Sequence, residues 1–152
     1  LGLSEGDEVE LLGPIGHFVL KESTNKVLFV ATGSGIVPFR SMLHELLKKK
    51  GFKGEVHLDW GMRHEGDLFW VEEFKQMEKD HPNFKFDIVL SKPTSEWYAC
   101  SGHVNDCLVK HRSSWEGWEV YLCGNQQMIA ETADLLASLG VKREEIRFEK
   151  FF

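Results

Sequence analysis

Short apolar runs alternate with amphipathic helical patterns from residue 27 onward, and this alternation constrains the fold more than any other feature. The runs predict five β-strands, at residues 27–31, 55–61, 84–90, 119–123 and 146–151. Apolar residues at helical spacing predict helices between them, at residues 36–50, 67–79, from about 103, and 125–140. Crossover helices connect parallel strands and cover both faces of the sheet. The pattern predicts an α/β fold: a doubly wound, Rossmann-like, five-stranded parallel sheet with helices on both faces and strand order 3-2-1-4-5.

Individual residues mark the ends of two of these helices. Asp67 and Asn125 are short polar side chains placed where a helix begins, so they are predicted to act as N-caps. Gly140 follows the last apolar positions of the final helix and is predicted to end it.

The first 22 residues follow a different pattern. Val9 and Leu11 alternate with charged residues, and a Gly-Pro pair follows them. This predicts the last hairpin of an antiparallel β unit, so that residues 1–22 would be the tail of one domain and residues 23–152 the next. The first residue is Leu1 rather than Met, which predicts a fragment of a longer protein.

The composition argues against several classes of function. A net charge of −6 provides no basic face for nucleic acid. The sequence contains no apolar run of the roughly 20 residues that cross a membrane, and no signal peptide opens it. The three cysteines form neither an even disulfide set nor a CxxC pair, and the seven histidines lack paired metal-binding spacing. We therefore expect a cytoplasmic protein without a metal site, or one held at the cytosolic face of a membrane by other segments.

The sequence VLFVATGSGIVPFRSML, residues 27–43, joins the first strand to the first helix through Gly33-Ser34-Gly35. In a doubly wound sheet, ligands bind beyond the carboxyl ends of the strands, where this junction lies. Glycines let a pyrophosphate approach the backbone, free amides of the first helical turn face it, and Ser34 adds a hydroxyl donor. Pro38 is compatible with that first turn. The junction predicts a phosphate-binding loop, while a tight turn without a ligand has the same spacing.

The spacing of the loop narrows the choice of ligand. It is not the GxxxxGK[ST] loop of nucleoside triphosphate sites, and it follows GxGxxP rather than the dinucleotide fingerprint GxGxxG. A methyltransferase glycine loop would also fit. Methyltransferases and ordinary NAD-binding domains usually carry a carboxylate after the second strand for the ribose hydroxyls, whereas this strand ends Gly61-Met62-Arg63. The missing acid argues against both.

Several motifs occur in the order typical of one family. TGSGIVP resembles its pyrophosphate loop GGTGIAP, WGMRHEGDLFW resembles the segment after its second strand, and VLSKPTSEWYACSGHVND resembles its third-strand signature. YLCGNQQMI resembles CGPxxMI with Asn125 in place of proline, GPIGHF resembles the segment that closes a flavin-binding barrel, and FEKFF resembles the closing acidic and aromatic segment. The chain thus resembles the pyridine-nucleotide domain of the ferredoxin-NADP reductase superfamily, which includes cytochrome b5 reductases and flavin reductases.

The resemblance implies which residues form the site. The cofactor-binding residues would be Thr32, Gly33, Ser34, Gly35, Pro38, Gly61, Arg63, Ser91, Lys92, Cys123, Gly124, Met128 and Phe151. The glycine loop would hold the pyrophosphate. Arg63, Ser91 and Lys92 would face the adenosine half of the dinucleotide.

The resemblance assigns the other end of the site to the nicotinamide and the flavin. Cys123 and Gly124 would lie under the nicotinamide, with Met128 packed nearby. Cys123 and Glu149 would be the catalytic residues, because they hold the places of a thiol and a carboxylate that order the contact between nicotinamide and flavin. Phe151 would either pack in the core or cover a flavin face.

The resemblance also implies an activity. The chain would be the NAD(P)H-binding domain of a flavoprotein reductase, in which hydride passes to FAD or FMN and single electrons pass on to an acceptor protein or metal centre. An N-terminal flavin domain would hold the flavin, so the isolated domain should bind NADH and NADPH without strong discrimination but be inactive alone. The alternatives are a nucleotide-binding regulatory or interaction module without redox activity and a domain resembling S-adenosylmethionine-dependent methyltransferases.

Overall fold

Six parallel strands form one sheet in the computed structural model, which describes residues 2, 4–10, 12–13, 16–22 and 26–151, the last of them by its backbone alone. The strands are β1 (Lys26–Thr32), β2 (Glu55–Met62), β3 (Phe84–Leu90), β4 (Cys100–Ser101), β5 (Trp118–Asn125) and β6 (Ile146–Phe151). Their order is β4-β3-β2-β1-β5-β6, and every neighbouring pair is parallel. The predicted fold is confirmed, with the five predicted strands in the predicted order and β4 added at one edge.

Helices follow β1, β2, β4 and β5, whereas residues 91–99 between β3 and β4 contain no helix. The α-helices are α1 (Ile36–Leu43), α2 (Val71–Asp80), α3 (Val104–His111) and α4 (Gln126–Ser138). α1 continues into a π-helical segment, His44–Lys49, and the two together fill the predicted helix at residues 36–50. Single 3-10 turns lie at Gly33–Gly35, Glu65–Asp67 and Arg143–Glu145. No helix in the described ranges is long and apolar enough to span a membrane.

Both faces of the sheet are buried under helices. Alternate residues of a strand point to opposite faces, so Phe29 of β1 belongs to one hydrophobic layer and Leu28 and Val30 belong to the other. α1 and α2 cover the first layer, and α3 and α4 cover the second. A ligand can therefore reach the backbone of the central strands only at their ends.

The second helix begins later than predicted. Asp67 does not cap it, because its carboxylate accepts a hydrogen bond from the backbone amide of His64, at 3.3 Å, and closes a separate 3-10 turn. α2 instead starts at Val71, after Trp70 in a left-handed backbone conformation with a φ of 58°. A short polar side chain caps whichever turn is local to it, and here the chain forms an extra turn before the helix.

The predicted hairpin is not present among the described residues that precede Lys26, since none of them lies in a strand. Phe18 packs against Tyr121 instead, with ring centroids 6.0 Å apart, and the amide of Lys21 donates to the Tyr121 hydroxyl at 3.0 Å. An isolated two-stranded hairpin is marginal in water, so packing on the first layer replaces strand pairing. Leu11 of that pattern lies outside the described residues, and the domain division at residue 22 stays a prediction.

Candidate functional site

Three helices begin at the carboxyl edge of the sheet. α1 starts after β1, α3 starts after β4, and α4 starts after β5. The first turn of a helix presents unpaired backbone N–H groups and the positive end of the helix dipole. The first turns of α1 and α4 contain no acidic residue. The starts of α1 and α4 therefore favour an anionic ligand, whereas the first turn of α3 contains Asp106.

Gly33 opens the turn between β1 and α1. Its φ is +57°, a left-handed conformation that glycine adopts without strain, and a Cβ added there would meet no atom within 4 Å. The indole nitrogen of Trp60 on β2 donates to the Gly33 carbonyl at 2.9 Å. The turn is thus held from below by the neighbouring strand while the space beside Gly33 stays open.

Gly35 is a glycine for a different reason. A Cβ at this position would overlap the carbonyl group of Cys123 on β5 and lie 2.8 Å from the amide nitrogen of Gly124. The start of α1 therefore packs directly on the backbone of β5. Gly35 is required for this packing and positions the loop rather than leaving room for a ligand.

Thr32 and Gly124 join the ends of β1 and β5. Gly124 has a φ of +141°, and a Cβ there would lie 2.8 Å from the Thr32 carbonyl oxygen. The Thr32 hydroxyl accepts a hydrogen bond from the amide of Asn125 at 3.1 Å. The Asn125 side-chain oxygen accepts from the amide of Gln127 at 2.8 Å, which confirms Asn125 as the N-cap of α4. These contacts fix the positions from which α1 and α4 leave the sheet.

A cleft of about 440 Å³ lies at this edge. It is lined by residues from the ends of β1, β2, β3 and β5 and from the start of α3: Thr32, Gly33, Gly61, Met62, Arg63, Asp67, Ser91, Gly102, His103, Val104 and Asn125. The structure thus brings together five of the predicted site residues, Thr32, Gly33, Gly61, Arg63 and Ser91. Gly102, His103 and Val104 are not among the predicted site residues, although they lie at the start of the helix predicted from about residue 103, where backbone N–H groups are unpaired.

The loops after β2 and β3 are hydrogen-bonded to each other beside the cleft. The amide of Ser91 donates to the carbonyl of Met62 at 3.0 Å, and the amide of Lys92 donates to the carbonyl of Arg63 at 2.9 Å. The imidazole of His64 also contacts the Lys92 carbonyl, with Nδ1 at 2.9 Å. The side chains of Arg63 and Lys92 are both exposed. The cleft lining therefore includes one cation, Arg63, and a second, Lys92, lies on the adjoining loop outside that lining.

Cys123 and Glu149 face each other across two strands. They are partners in the register of β5 and β6, Cys123 is fully buried, and Glu149 is half-buried. Burial, and after it the charge of Glu149, raise the pKa of the Cys123 thiol to about 12. The thiol is consequently neutral at pH 7 and is not a nucleophile.

The remaining predicted residues lie away from the cleft lining. Met128 is 8% exposed and belongs to the second hydrophobic layer, whereas Cys123 belongs to the first, so the two side chains lie on opposite faces of the sheet. Ser34 is exposed beside the turn, and Pro38 is half-buried in the first turn of α1. The side chain of Phe151 lies outside the described residues.

A second cavity, of about 710 Å³, lies near the opposite edge of the sheet. It is lined by residues 112–117, just before β5, and by residues near the end of α4, and it includes no predicted site residue. Ligands of doubly wound sheets bind at the carboxyl ends of the strands. The cleft beside Gly33 is therefore the better candidate for a functional site.

Residues 29–134 match the family model described as the oxidoreductase NAD-binding domain. A subunit of the Na(+)-translocating NADH-quinone reductase of Haemophilus ducreyi is 34% identical over 155 aligned residues, and the corresponding protein of Psychrobacter arcticus is also 34% identical. Each alignment covers 98% of this chain but only 38% of the relative. The chain thus spans well under half the length of these curated relatives.

Solved structures show the same fold. The Amycolatopsis cytochrome P450 reductase GcoB superimposes with a TM-score of 0.84 at 27% identity, covering 91% of this chain and 42% of that one. The cytochrome b5 reductase domain of Ulva prolifera nitrate reductase superimposes with a TM-score of 0.79 at 21% identity, covering 91% and 58%. The overall fold described above is therefore shared with known reductase domains.

Proposed function

The chain belongs to the oxidoreductase NAD-binding domain family, and on that premise we propose that the cleft at the carboxyl edge of its sheet binds NADH or NADPH. The observation that carries this proposal is the open space beside Gly33, at the point where strand order reverses between β1 and β5. Loops at this point of a doubly wound sheet bind dinucleotides. The start of α1 supplies free amides for the pyrophosphate.

The adenosine half of the dinucleotide extends from Gly33 toward the ends of β2 and β3. Gly61 leaves the floor of the cleft low, because a Cβ there would already press on the Thr32 methyl group at 3.0 Å. Arg63 and Lys92 on the hydrogen-bonded loops supply positive charge, and Ser91 adds a hydroxyl. This set suits a ribose or a phosphate group on it, since hydrogen bonds to charged groups are the stronger ones.

The nicotinamide half extends the other way, toward the ends of β5 and β6. Gly124 allows the ends of β1 and β5 to pack closely there, because a Cβ would clash with Thr32. The neutral Cys123 thiol and the Glu149 carboxylate, partners in adjacent strands, lie beside this contact and position the ring. Proper placement of two reacting groups is the main contribution a protein makes to hydride transfer.

The parent protein is a flavin-dependent NAD(P)H reductase. When bound, the dinucleotide supplies a hydride and a flavin, FAD or FMN, accepts it; a flavin domain N-terminal to this one holds the flavin. An acceptor protein or metal centre would receive the electrons singly. The relatives named as NADH-quinone reductase subunits and the reductase domains of similar structure support this interpretation. We place the parent in the cytoplasm, including the cytosolic face of a membrane.

Calorimetric titration of the chain with NADH, NADPH and S-adenosylmethionine tests the proposed ligand. We expect both dinucleotides to bind and S-adenosylmethionine to give no signal. Gly33→Ala places a methyl group in the open space and should weaken dinucleotide binding about tenfold or more. Gly51→Ala is the matched control, because Gly51 has a φ of +58° and equally open surroundings but precedes β2 at the opposite edge. Equal dinucleotide affinities of the two variants would contradict the proposed site. Binding of S-adenosylmethionine alone would favour a methyltransferase.

The discrimination between cofactors is tested at Lys92. NADPH carries an extra phosphate on its adenosine ribose, and an acidic residue nearby repels it. We expect the wild type to bind both cofactors similarly and Lys92→Asp to weaken NADPH more than NADH, by roughly 1–3 kcal/mol. Lys53→Asp, an exposed change just before β2, should affect neither. Parallel losses for both cofactors in Lys92→Asp would show that the lysine does not contact the 2′ position.

The parent's activity is tested on a longer chain that includes the segment before residue 1. We expect it to purify yellow with bound flavin and to oxidise NADH or NADPH, while the 152-residue chain binds dinucleotide without turnover. A colourless longer chain that still binds NADH would support the alternative, a nucleotide-binding regulatory or interaction module.

A further inference from the structure

Two thiols, an imidazole and a carboxylate lie on the face of the sheet that α3 covers, outside the lining of the dinucleotide cleft. Cys100 lies on β4, Asp87 lies on β3, and Cys107 and His111 lie one helical turn apart on α3. The Cys100 sulfur is 3.4 Å from Nε2 of His111, and Nδ1 of His111 is 3.2 Å from a carboxylate oxygen of Asp87. A thiol, an imidazole and a carboxylate therefore form a continuous chain of contacts.

The order of these contacts fixes the direction of the hydrogen bonds. A carboxylate only accepts, so Nδ1 of His111 must carry a hydrogen that it donates to Asp87. Nε2 of a neutral imidazole is then an acceptor, and the Cys100 thiol donates a hydrogen bond to it. A nucleophile in contact with a base that a third group orients is the arrangement that activates cysteine.

The structure holds Cys100 in place for this contact. Its residue pairs with Val89 in the parallel ladder, and its carbonyl accepts a hydrogen bond from the indole nitrogen of Trp97 at 2.9 Å. The Cys100 side chain is only half-buried, so small molecules can reach it. A rigid and accessible thiol beside an oriented base is suited to nucleophilic attack.

Cys107, unlike Cys100, is a buried thiol. It is 1% exposed, and burial raises the pKa of its thiol to about 12, with the neighbouring Cys100 thiol as the next cause. Cys107 is therefore a neutral thiol next to an activated one. A second thiol in this position can capture an oxidised form of the first.

A metal ion is a weaker interpretation of the same region. One oxygen or nitrogen atom each of Asp59, Asp87 and His111 lie within 4.8 Å of one another. The guanidinium of Arg112, however, is 2.8 Å from the Asp59 carboxylate and would repel a cation there. The contact between His111 and a thiol favours thiol chemistry instead.

We propose that Cys100 is a peroxide-sensitive thiol, activated by His111 and Asp87, whose oxidised form is captured by Cys107 as a disulfide. The Cys100 thiolate attacks one oxygen of a hydroperoxide, the O–O bond breaks, and the other oxygen leaves as water or alcohol with the proton that His111 holds. The Cys107 sulfur then attacks the Cys100 sulfenic acid, the S–O bond breaks, and water leaves with the Cys107 proton. Two thiols are oxidised by two electrons and the hydroperoxide is reduced, and the step does not depend on nucleotide binding.

Peroxide treatment followed by thiol mapping tests the products. One equivalent of hydrogen peroxide at pH 7 should convert Cys100 and Cys107 into an intramolecular disulfide that dithiothreitol reverses, and leave Cys123 reduced. Cys107→Ser should accumulate a Cys100 sulfenic acid that dimedone traps. Oxidation of all three cysteines at one rate, or an intermolecular disulfide as the main product, would overturn the proposal.

The positioning role of His111 is tested by the pH profile of Cys100 alkylation with iodoacetamide. His111→Gln should slow the reaction at pH 7 about tenfold or more and converge with the wild type at high pH, where bulk hydroxide forms the thiolate. Asp87→Asn should shift the pH profile of alkylation in the same direction. This second variant keeps the test decisive if His111→Gln does not fold. His81→Gln, at the end of α2 on the other face, is the control and should match the wild type. Unchanged profiles in both His111→Gln and Asp87→Asn would contradict the proposal.

Discussion

A side chain at Gly35 has no space, whereas the space beside Gly33 is open. Gly35→Ala should therefore destabilise the protein by about 3 kcal/mol, because its Cβ would overlap the backbone of β5 and force α1 away from the sheet. Gly33→Ala should cost only about 1 kcal/mol, the strain of a left-handed alanine. Urea denaturation of both variants measures this difference, and equal losses would show that Gly35 does not pack on β5 as described.

Asp59 gives the stability of the protein a particular pH dependence. Burial raises the pKa of its carboxyl to about 6, against the opposing effect of the Arg112 guanidinium 2.8 Å away. A group whose pKa is higher in the folded state stabilises the folded protein. Its full contribution is present at a pH below its unfolded pKa, and it is lost as the pH rises through the folded pKa. From pH 4 to pH 7, the free energy of unfolding of the wild type should fall by up to about 3 kcal/mol relative to Asp59→Asn.

Denaturation of both proteins at several pH values measures this slope. Asp59→Asn removes this carboxyl and keeps every other titratable side chain, so the comparison isolates Asp59. A difference between the two proteins that stays constant over this range would mean that Asp59 is not held in the buried environment described.

Part of the candidate site could be predicted from single residues. Thr32, Gly61 and Arg63 line the cleft because each lies at or just after the carboxyl end of a predicted strand, and such ends meet at one edge. The different roles of Gly33 and Gly35 could not be predicted, since they depend on contacts with a strand that is distant in sequence. The roles assigned to the site residues by resemblance stay predictions.

At the scale of elements, Asn125 has two roles: it caps the N-terminus of α4, and it lines the cleft. Asn125 accepts hydrogen bonds from the amides of Gln127 and Met128, at 2.8 and 3.4 Å. Asn125→Ala should destabilise the protein by about 1 kcal/mol, and Asn125→Ser, which retains a capping oxygen, should lose much less. Thermal or urea denaturation measures this, and indistinguishable losses for the two variants would mean that the cap contributes nothing.

Strands and long helices were predictable because their apolar residues repeat at the spacing of the element. β4 was missed, as a strand of residues 100–101 is too short to show any period. The start of α2 was placed too early, because Asp67 has the chemistry of a cap but closes the preceding turn. The predicted N-terminal hairpin is not present among the described residues, because an alternation of apolar and charged residues does not by itself provide a partner strand. Local patterns identify elements better than they identify contacts between elements.

At the scale of the whole molecule, the predicted resemblance to the ferredoxin-NADP reductase superfamily is confirmed. The family model matches most of the chain, and the TM-score of 0.84 to GcoB shows the same arrangement of strands. The motifs made this possible, since their order along the chain is more specific than any one of them. The flavin domain, the electron acceptor and the location in the cell belong to the parent protein and stay proposals, because this chain covers 38% of its relatives.

The central claim is that a pyridine dinucleotide binds at the carboxyl edge of the sheet, and mapping of backbone amide shifts by NMR during an NADH titration tests it most directly. The largest saturable shifts should fall on the amides of Gly33, Gly35, Arg63, Ser91 and Gly124, where the chain meets the cleft and the turn. Shifts concentrated around residues 112–117, at the cavity near the opposite edge of the sheet, or no saturable shifts up to about 1 mM NADH, would contradict the account.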